Sequence, residues 1–184
     1  MVLAVGRLEP YKQIGRLVEA LPELPADHEV AVVGDGPDRA AVVDRAGRLG
    51  VAPRLHLRGR VPQAELDAWY ARADVFVSLS RHESFGLALL EGAVAGAAVV
   101  ASDIPAHREV GAYLPPGRVV FVAPDCAPLE LARAVQAARA AGRAADASEW
   151  PVPTWAGAVE ETIRCYRSIV ARGAAAGRPQ GGPG

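Results

Sequence analysis

The segment DVFVSLSRHESFGLALLEGAVAGAAVVASD, residues 74–103, contains the pattern that decides the fold. The short apolar runs at its two ends, 74–80 and 98–103, are continuous rather than alternating, which is typical of strands covered on both faces. Between them, residues 86–96 form an apolar segment with the character of a helix. A strand, a helix and a strand in this order predict a right-handed crossover between two parallel strands.

The same alternation extends along the rest of the chain. Further apolar runs predict strands at 2–6, 29–34, 54–59 and 119–124. Further helix patterns lie at 14–21, 36–50, 63–73 and 127–142. Strands and helices that alternate about six times predict an α/β fold, a Rossmann-like doubly wound parallel sheet of about six strands with helices on both faces.

The pattern of alternation ends after Gly142, and this divides the chain into three parts. Residues 1–142 are expected to form the α/β domain, and residues 143–172 to add a loop and a C-terminal helix over 154–171. The tail, 173–184, is rich in Gly, Pro and Ala and is expected to be disordered.

Composition narrows the class of protein. Of the 184 residues, 51% are hydrophobic and 22% charged, as in an ordinary globular protein, and the net charge of −1 argues against nucleic acid as a partner. No apolar run approaches the roughly 18 residues of a membrane span. The two cysteines, Cys126 and Cys165, are far apart, which favours reduced thiols in a cytoplasmic protein.

Ligands of an open parallel sheet bind beyond the carboxyl ends of its strands, so the segments after the strands carry the candidate residues. Arg7 and Lys12 follow the first strand and suit a diphosphate; the alternative is that both are solvated surface charges. Gly34 and Gly36 follow the second strand and could let a ligand approach the backbone. They fail the dinucleotide fingerprint because Arg39 replaces its third glycine, and the alternative is a turn before a helix.

The segment after the fourth strand, HESFGLALLE (82–91), is the most informative. A helix is expected to begin with a turn whose unpaired N–H groups could hold an anion, formed by Ser84, Phe85, Gly86 and Leu87. Glu83 precedes this turn, and Glu91 lies among apolar neighbours, where a buried carboxylate needs partners such as ligand hydroxyls. The alternatives are a helix cap for Glu83 and a solvated face for Glu91.

Other kinds of site find little support in the sequence. The four histidines have no metal-ligand spacing with one another or with the cysteines, so no metal site is predicted. His82 and His107 follow strands and are expected to lie on the surface. No G-x-S-x-G motif of a serine hydrolase occurs.

Three motifs occur in one order: VGRLEPYK (5–12), VVGDGPDR (32–39) and the long stretch from LRGRVPQAEL to VVASD (57–103). Together they closely resemble the donor-binding, C-terminal domain of retaining GT-B glycosyltransferases of the group 1, or family 4, type. The resemblance covers about residues 2–142, and E-S-F-G-L-x-x-x-E at 83–91 is similar to the family's Glu-x7-Glu signature.

The resemblance implies hexosyl transfer from a nucleotide-diphospho sugar, such as a UDP- or GDP-sugar, with retention of configuration and without a metal ion or other cofactor. It assigns Arg7 and Lys12 to the diphosphate and the departing nucleotide. Glu83 would contact the sugar hydroxyls and Glu91 those of the ribose. The backbone N–H groups of Phe85, Gly86 and Leu87 would hold sugar or phosphate oxygens. The base would be read by the backbone at Arg60 and Val61.

Three departures from the family pattern are Ala98 in place of a usual Pro, Gln13 where Gly is common, and the segment GAYLPPGRVV (111–120) on the sugar side. Family members also carry an N-terminal acceptor domain, which is expected to act here in cis or in trans. The C-terminal helix would pack on or toward it, and any peripheral membrane association would be through it. The rival functions are a non-catalytic nucleotide-sugar module or partner subunit, and a related 2-epimerase.

Overall fold

The computed structural model describes residues 1–145, 150–152, 154, 156–157, 159–160, 163–164 and 166–167. Six strands form one sheet: β1 (Val2–Val5), β2 (Val30–Val33), β3 (Leu55–Gly59), β4 (Val75–Ser78), β5 (Ala98–Ser102) and β6 (Val119–Val122). Every pair of neighbouring strands is parallel, in the order β3-β2-β1-β4-β5-β6. The predicted Rossmann-like α/β fold is therefore confirmed.

Six α-helices accompany the strands: α1 (Ile14–Ala20), α2 (Arg39–Arg48), α3 (Gln63–Arg72), α4 (Leu87–Val94), α5 (Pro105–Gly111) and α6 (Pro128–Ala141). Five of them were predicted, and α5 was not. The seven residues of α5 span only two turns, which is too short for a helical period to be visible in the sequence. Its start fits the rule that proline is favoured in the first turn, where its missing N–H is not needed.

The central strands are apolar because both faces of the sheet are covered. All four residues of β2 and all five of β5 are buried. Helix α4 lies unusually close to the sheet because Gly92 faces Phe76 of β4, where a Cβ atom would be 2.5 Å from Cγ of the phenylalanine ring. This close packing fixes the helix whose first turn borders the candidate site.

The strand order reverses between β1 and β4, since the chain first adds β2 and β3 on one side and then returns to add β4 to β6 on the other. In open α/β sheets the crevice at the carboxyl ends of two such strands is the usual ligand site. The segments that leave β1 and β4 are the ones that contain Arg7, Lys12 and Glu83.

The chain divides into two compact units, Met1–Trp150 and Pro151–Gly184. In the second unit the described positions of the expected helix over 154–171 are helical at 156–157, 159–160, 163–164 and 166–167. The other positions of that helix, and the tail expected to be disordered at 173–184, lie outside the described residues. No helix in the described part of the chain is both long and apolar enough to cross a bilayer.

Candidate functional site

A cavity of about 280 Å³ opens at the carboxyl ends of β1 and β4. The predicted site residues that line it are Arg7, Lys12, Glu83, Ser84, Phe85, Gly86 and Leu87. The structure thus brings together the basic pair, the first glutamate and the loop before α4. The cavity lies at the reversal of strand order, where the fold alone predicts a ligand.

Lys12 and Glu83 form the centre of this cavity. The Lys12 ammonium donates to Oε1 of Glu83 at 2.5 Å, and the Ser80 hydroxyl donates to the same oxygen at 2.8 Å. Both side chains of the ion pair are largely buried, with 20% and 17% of their surface exposed. Oε2 of Glu83 accepts no hydrogen bond from any described residue. The pair therefore presents an anchored carboxylate with one oxygen free to accept.

Arg7 lies at the mouth of the cavity. Its side chain is 71% exposed and pairs with Glu9 at 2.6 Å. It also borders a shallower depression, which it shares with Asp35, Gly36 and Arg60 at the ends of β1, β2 and β3. A cation at this position lies between the two recesses, so it can reach an anionic group that extends from one into the other.

The loop before α4 differs from the predicted helical turn. The helix begins at Leu87, and Gly86 precedes it in the left-handed region with φ of 97°, so the expectation of a helical turn from Ser84 is wrong. The N–H groups of Leu89 and Leu90 bond to the Gly86 carbonyl, which satisfies the later part of the first turn. The backbone N–H groups of residues 84–88 donate to no acceptor among the described residues. A row of free amides at a helix N-terminus is suited to an anion.

The side chain of His107 packs against this loop and is fully buried, so its expected surface position is wrong. His82 is exposed, as predicted. Burial is the main reason that the pKa of His107 lies below its usual value, and the Lys12 ammonium lowers it further. The Ser102 carbonyl and the Glu83 carboxylate act in the opposite direction. The lowered pKa favours the neutral imidazole.

Glu91 is separated from the other predicted residues. Its side chain is exposed rather than buried, and its Oε2 accepts a hydrogen bond from the Tyr70 hydroxyl of α3 at 2.7 Å. It borders a third depression, between α3 and α4, with Gln63, Asp67 and Val94. Burial, followed by the bond to Glu91, raises the pKa of Tyr70. The stated reason for a ligand at Glu91, a buried carboxylate without partners, is therefore wrong.

The glycines after β2 have a packing role that the sequence does not reveal. A Cβ atom on Gly34 would lie 1.9 Å from the carbonyl oxygen of Gly6, and one on Gly36 would lie 2.3 Å from that of Leu8. Both glycines thus let the segments leaving β1 and β2 pack against each other. Gly36 also borders the shallow depression, whereas Gly34 and the half-buried Val61 line none of the three recesses described above.

The described residues contain no group of three or more His, Cys, Asp or Glu side chains that could hold a metal ion. The charges that could meet an anion in the main cavity are those of Arg7 and Lys12, assisted by the amides before α4. Such an arrangement can bind a phosphate group and, through the free oxygen of Glu83, an adjacent hydroxyl.

Comparison with known proteins identifies similar chains. The model of the family described as "Glycosyl transferases group 1" matches residues 1–140. A phosphatidyl-myo-inositol mannosyltransferase of Mycolicibacterium smegmatis is 41% identical over 126 residues, which are 66% of this chain and 32% of that protein. A GDP-mannose-dependent alpha-mannosyltransferase of the same organism is 32% identical over 174 residues, which are 91% of this chain and 43% of that protein.

Solved structures share the fold. Anabaena Alr3699/HepE in complex with UDP has a TM-score of 0.65 at 24% identity, over 76% of this chain and 41% of that one. Sucrose-phosphate synthase from Thermosynechococcus elongatus has a TM-score of 0.72 at 24% identity, over 93% of this chain and 45% of that one. The chain therefore spans less than half the length of each of these four proteins.

Proposed function

Because the chain belongs to the glycosyl transferases group 1 family, we propose that it is the donor-binding half of a glycosyltransferase. It binds a nucleotide-diphospho sugar, from which a hexosyl group is transferred to an acceptor with retention of configuration. The observation that carries this proposal is the Lys12–Glu83 pair at the reversal of strand order, beside the free amides of residues 84–88.

The diphosphate is assigned to Lys12, Arg7 and the amides before α4. Lys12 uses one ammonium N–H on Glu83 and has two more for phosphate oxygens. Glycosyl transfer builds negative charge on the leaving diphosphate, so fixed cations and amide dipoles bind more strongly as the reaction proceeds. We propose that these groups supply the charge without a metal ion and that the transfer retains configuration, as the resemblance to the family implies.

The sugar is assigned to Glu83. Its Oε1 is held by Lys12 and Ser80, which leaves Oε2 to accept from sugar hydroxyls beside the reacting carbon. A carboxylate held on one oxygen keeps its direction and selects hydroxyls by position. Glu83 is thus proposed to orient the sugar and to stabilise the positive charge that develops on its ring.

The base is assigned to the shallow depression at the ends of β1, β2 and β3. We propose that the backbone at Arg60 and Val61 reads the base. Gly36 lines this recess, and Gly34 keeps the adjacent segments that leave β1 and β2 in close contact. Glu91 remains the proposed ribose ligand through its Oε1, which accepts no bond from the described residues. Glu91 borders the depression between α3 and α4 and not the main cavity, so its role is tested separately from that of Glu83.

We propose that the acceptor is held by a separate N-terminal domain, in cis or in trans. This fits the finding that the chain aligns with less than half of the length of each of the two mannosyltransferases. We also propose that the protein acts in the cytoplasm, where a free, buried thiol such as that of Cys126 is usual.

Calorimetry with GDP-mannose, UDP-glucose, ADP-glucose and dTDP-glucose tests the proposed donor binding. GDP-mannose is the first probe because a relative that aligns with 91% of the chain is named as GDP-mannose-dependent. We expect saturable binding of one of the four by the chain alone, and transfer only when an N-terminal half is added. Absence of binding to all four would contradict the donor site, and full transfer by the chain alone would contradict the need for a second domain.

The two glutamates are expected to affect different parts of the donor. Glu83→Ala should leave the affinity for the free nucleoside diphosphate within about two-fold and reduce the preference for the nucleotide sugar about ten-fold. The contacts to the donor that it loses are those to sugar hydroxyls, and Lys12, although it loses its ion pair with Glu83, still carries its charge for the phosphates. Glu91→Ala should weaken nucleoside diphosphate and nucleotide sugar equally, about five-fold, through the lost ribose contact. Both affinities are measured by calorimetry.

Glu23→Ala is the matched control for these variants, since Glu23 is exposed and lies in the 3-10 turn Leu21–Glu23, outside all three recesses. It should leave both affinities unchanged. Equal losses of nucleotide and sugar affinity in Glu83→Ala would refute the assignment of Glu83 to the sugar. Unchanged binding in Glu91→Ala would remove the ribose role and leave Glu91 as a partner of Tyr70 only.

A further inference from the structure

Hydrogen bonds through Ser80 and Ser102 connect Glu83 to His107 at the carboxyl ends of β4 and β5. Ser80 donates its hydroxyl to Oε1 of Glu83 at 2.8 Å. The Ser102 hydroxyl, at the end of β5, donates to the carbonyl of Ser80 at 2.5 Å. His107 in turn places Nδ1 within 2.8 Å of the Ser102 carbonyl and 3.0 Å of its hydroxyl oxygen.

The partners of the imidazole decide its tautomer. A carbonyl oxygen only accepts, so Nδ1 carries the proton and donates to Ser102. Nε2 is then the acceptor, and the Ser78 hydroxyl donates to it at 3.1 Å. Both ring nitrogens are therefore satisfied by neighbouring strands, Ser78 of β4 and Ser102 of β5. A fully bonded polar network in a buried region holds its members in one arrangement.

The imidazole of His107 also packs against the loop before α4, whose N–H groups at residues 84–88 have no acceptor among the described residues. A Cβ atom added to Gly86 would lie 3.5 Å from Cδ2 of His107, so the ring is in van der Waals range of this position. Gly86 is buried and holds the left-handed conformation that starts α4. One buried side chain thus supports both the glutamate and the amides of the candidate site, although it lines none of the recesses described here.

We propose that His107 is a positioning residue for the donor sugar, acting through Ser102 and Ser80 on the orientation of Glu83. This inference rests on the proposed function, because it assigns to His107 the alignment of a carboxylate that is itself assigned to the sugar. His107 touches neither the donor nor the reacting atoms. Its effect should therefore appear in the preference for nucleotide sugar over free nucleotide, and not in the affinity for the nucleotide.

Variants of His107 separate positioning from simple structural support. His107→Asn keeps an N–H near the position of Nδ1. His107→Leu removes the hydrogen bonds to Ser78 and Ser102 while filling a similar volume. With GDP-mannose and GDP, or whichever pair the wild type binds best, we expect His107→Leu to lower the sugar preference about five-fold and His107→Asn to restore it to within about two-fold of wild type. Equal preference in all three proteins would overturn the proposal.

A double-mutant cycle on Ser80 and Ser102 tests the connection without altering the buried ring. Ser80→Ala and Ser102→Ala should each lower the sugar preference, and the double variant should lose no more than the larger single loss, because both cut the same connection. If the fold-loss of the double variant equals the product of the two single fold-losses, the two serines act independently. That result would overturn the proposed connection. Thermal unfolding of each variant identifies proteins that fail to fold, and a wild type that binds no nucleotide contradicts the proposed function instead.

Discussion

Replacing Lys12 with alanine is expected to weaken binding of the nucleoside diphosphate about 30-fold, as judged from the usual contribution of a hydrogen bond to a charged group. Lys12 supplies the most deeply placed cation of the main cavity, with only 20% of its side chain exposed. Arg7, at 71%, is much more open to solvent, which screens its charge. The loss should therefore exceed that of Arg7→Ala.

Lys12→Ala should also weaken the contacts of Glu83 with the donor sugar. Without the ammonium, Oε1 of Glu83 keeps only the Ser80 hydroxyl as a partner, so the carboxylate is less well fixed. The affinity for the nucleotide sugar should fall further than that for the free nucleoside diphosphate. Calorimetry with both ligands measures the two losses on one protein.

Arg48→Ala is the matched control for charge, since Arg48 is an exposed residue of α2 that pairs with Asp44. It changes the net charge by the same amount and should leave binding unchanged, which separates a local contact from a general electrostatic effect. Lys12→Arg should retain more affinity than Lys12→Ala. An alanine variant that binds the nucleoside diphosphate as tightly as wild type would refute the role of Lys12 at the phosphates.

The sequence predicts the sheet well because buried parallel strands leave a continuous apolar signal. The runs at 2–6, 29–34 and 74–80 contain β1, β2 and β4, and their order along the chain also predicts where the carboxyl ends converge. The residues after these strands could be named as candidates on that ground alone. Arg7, Lys12 and Glu83 do line one cavity.

The sequence predicts that a residue lies in a helix more readily than it predicts the direction in which its side chain points. Glu91 lies among apolar residues, but Leu87, Glu91 and Val94 share the spacing of one helix face, and all three are exposed. Leu89, Leu90 and Ala93 form the buried face of α4. The available signal for an exposed Glu91 is therefore its spacing from these residues, and not the apolar character of the segment as a whole.

Long-range contacts explain what the pattern could not predict. Gln13 adopts φ of 55°, in the left-handed region that glycine tolerates best, and this accounts for the family pattern in which Gly is common at this position. With its amide turned by 180°, Gln13 would donate to the carbonyls of Leu79 and Pro124 and accept from Nε of Arg81. His107 is a similar case, because its partners Ser78 and Ser102 come from two strands that precede it in the chain.

Gly34→Ala is expected to lower the free energy of unfolding by about 3 kcal/mol or more, through backbone strain and steric overlap. Gly34 has φ of 129°, where an L-residue is strained, and a Cβ atom would lie 1.9 Å from the carbonyl oxygen of Gly6. That oxygen belongs to the backbone, so it cannot move aside as a flexible side chain would. The segments leaving β1 and β2 must separate.

Separation of these segments should also reduce donor binding, because Gly6 is followed by Arg7 and both line the main cavity. Gly47→Ala is the matched control: Gly47 lies in α2 with no atom within 4 Å of an added Cβ, so alanine should stabilise the helix by about 0.5–1 kcal/mol. Urea unfolding of both variants, with calorimetry in the absence of urea at a temperature where each is folded, measures the two effects. A Gly34→Ala protein within about 0.5 kcal/mol of wild type would contradict the close contact between Gly34 and Gly6.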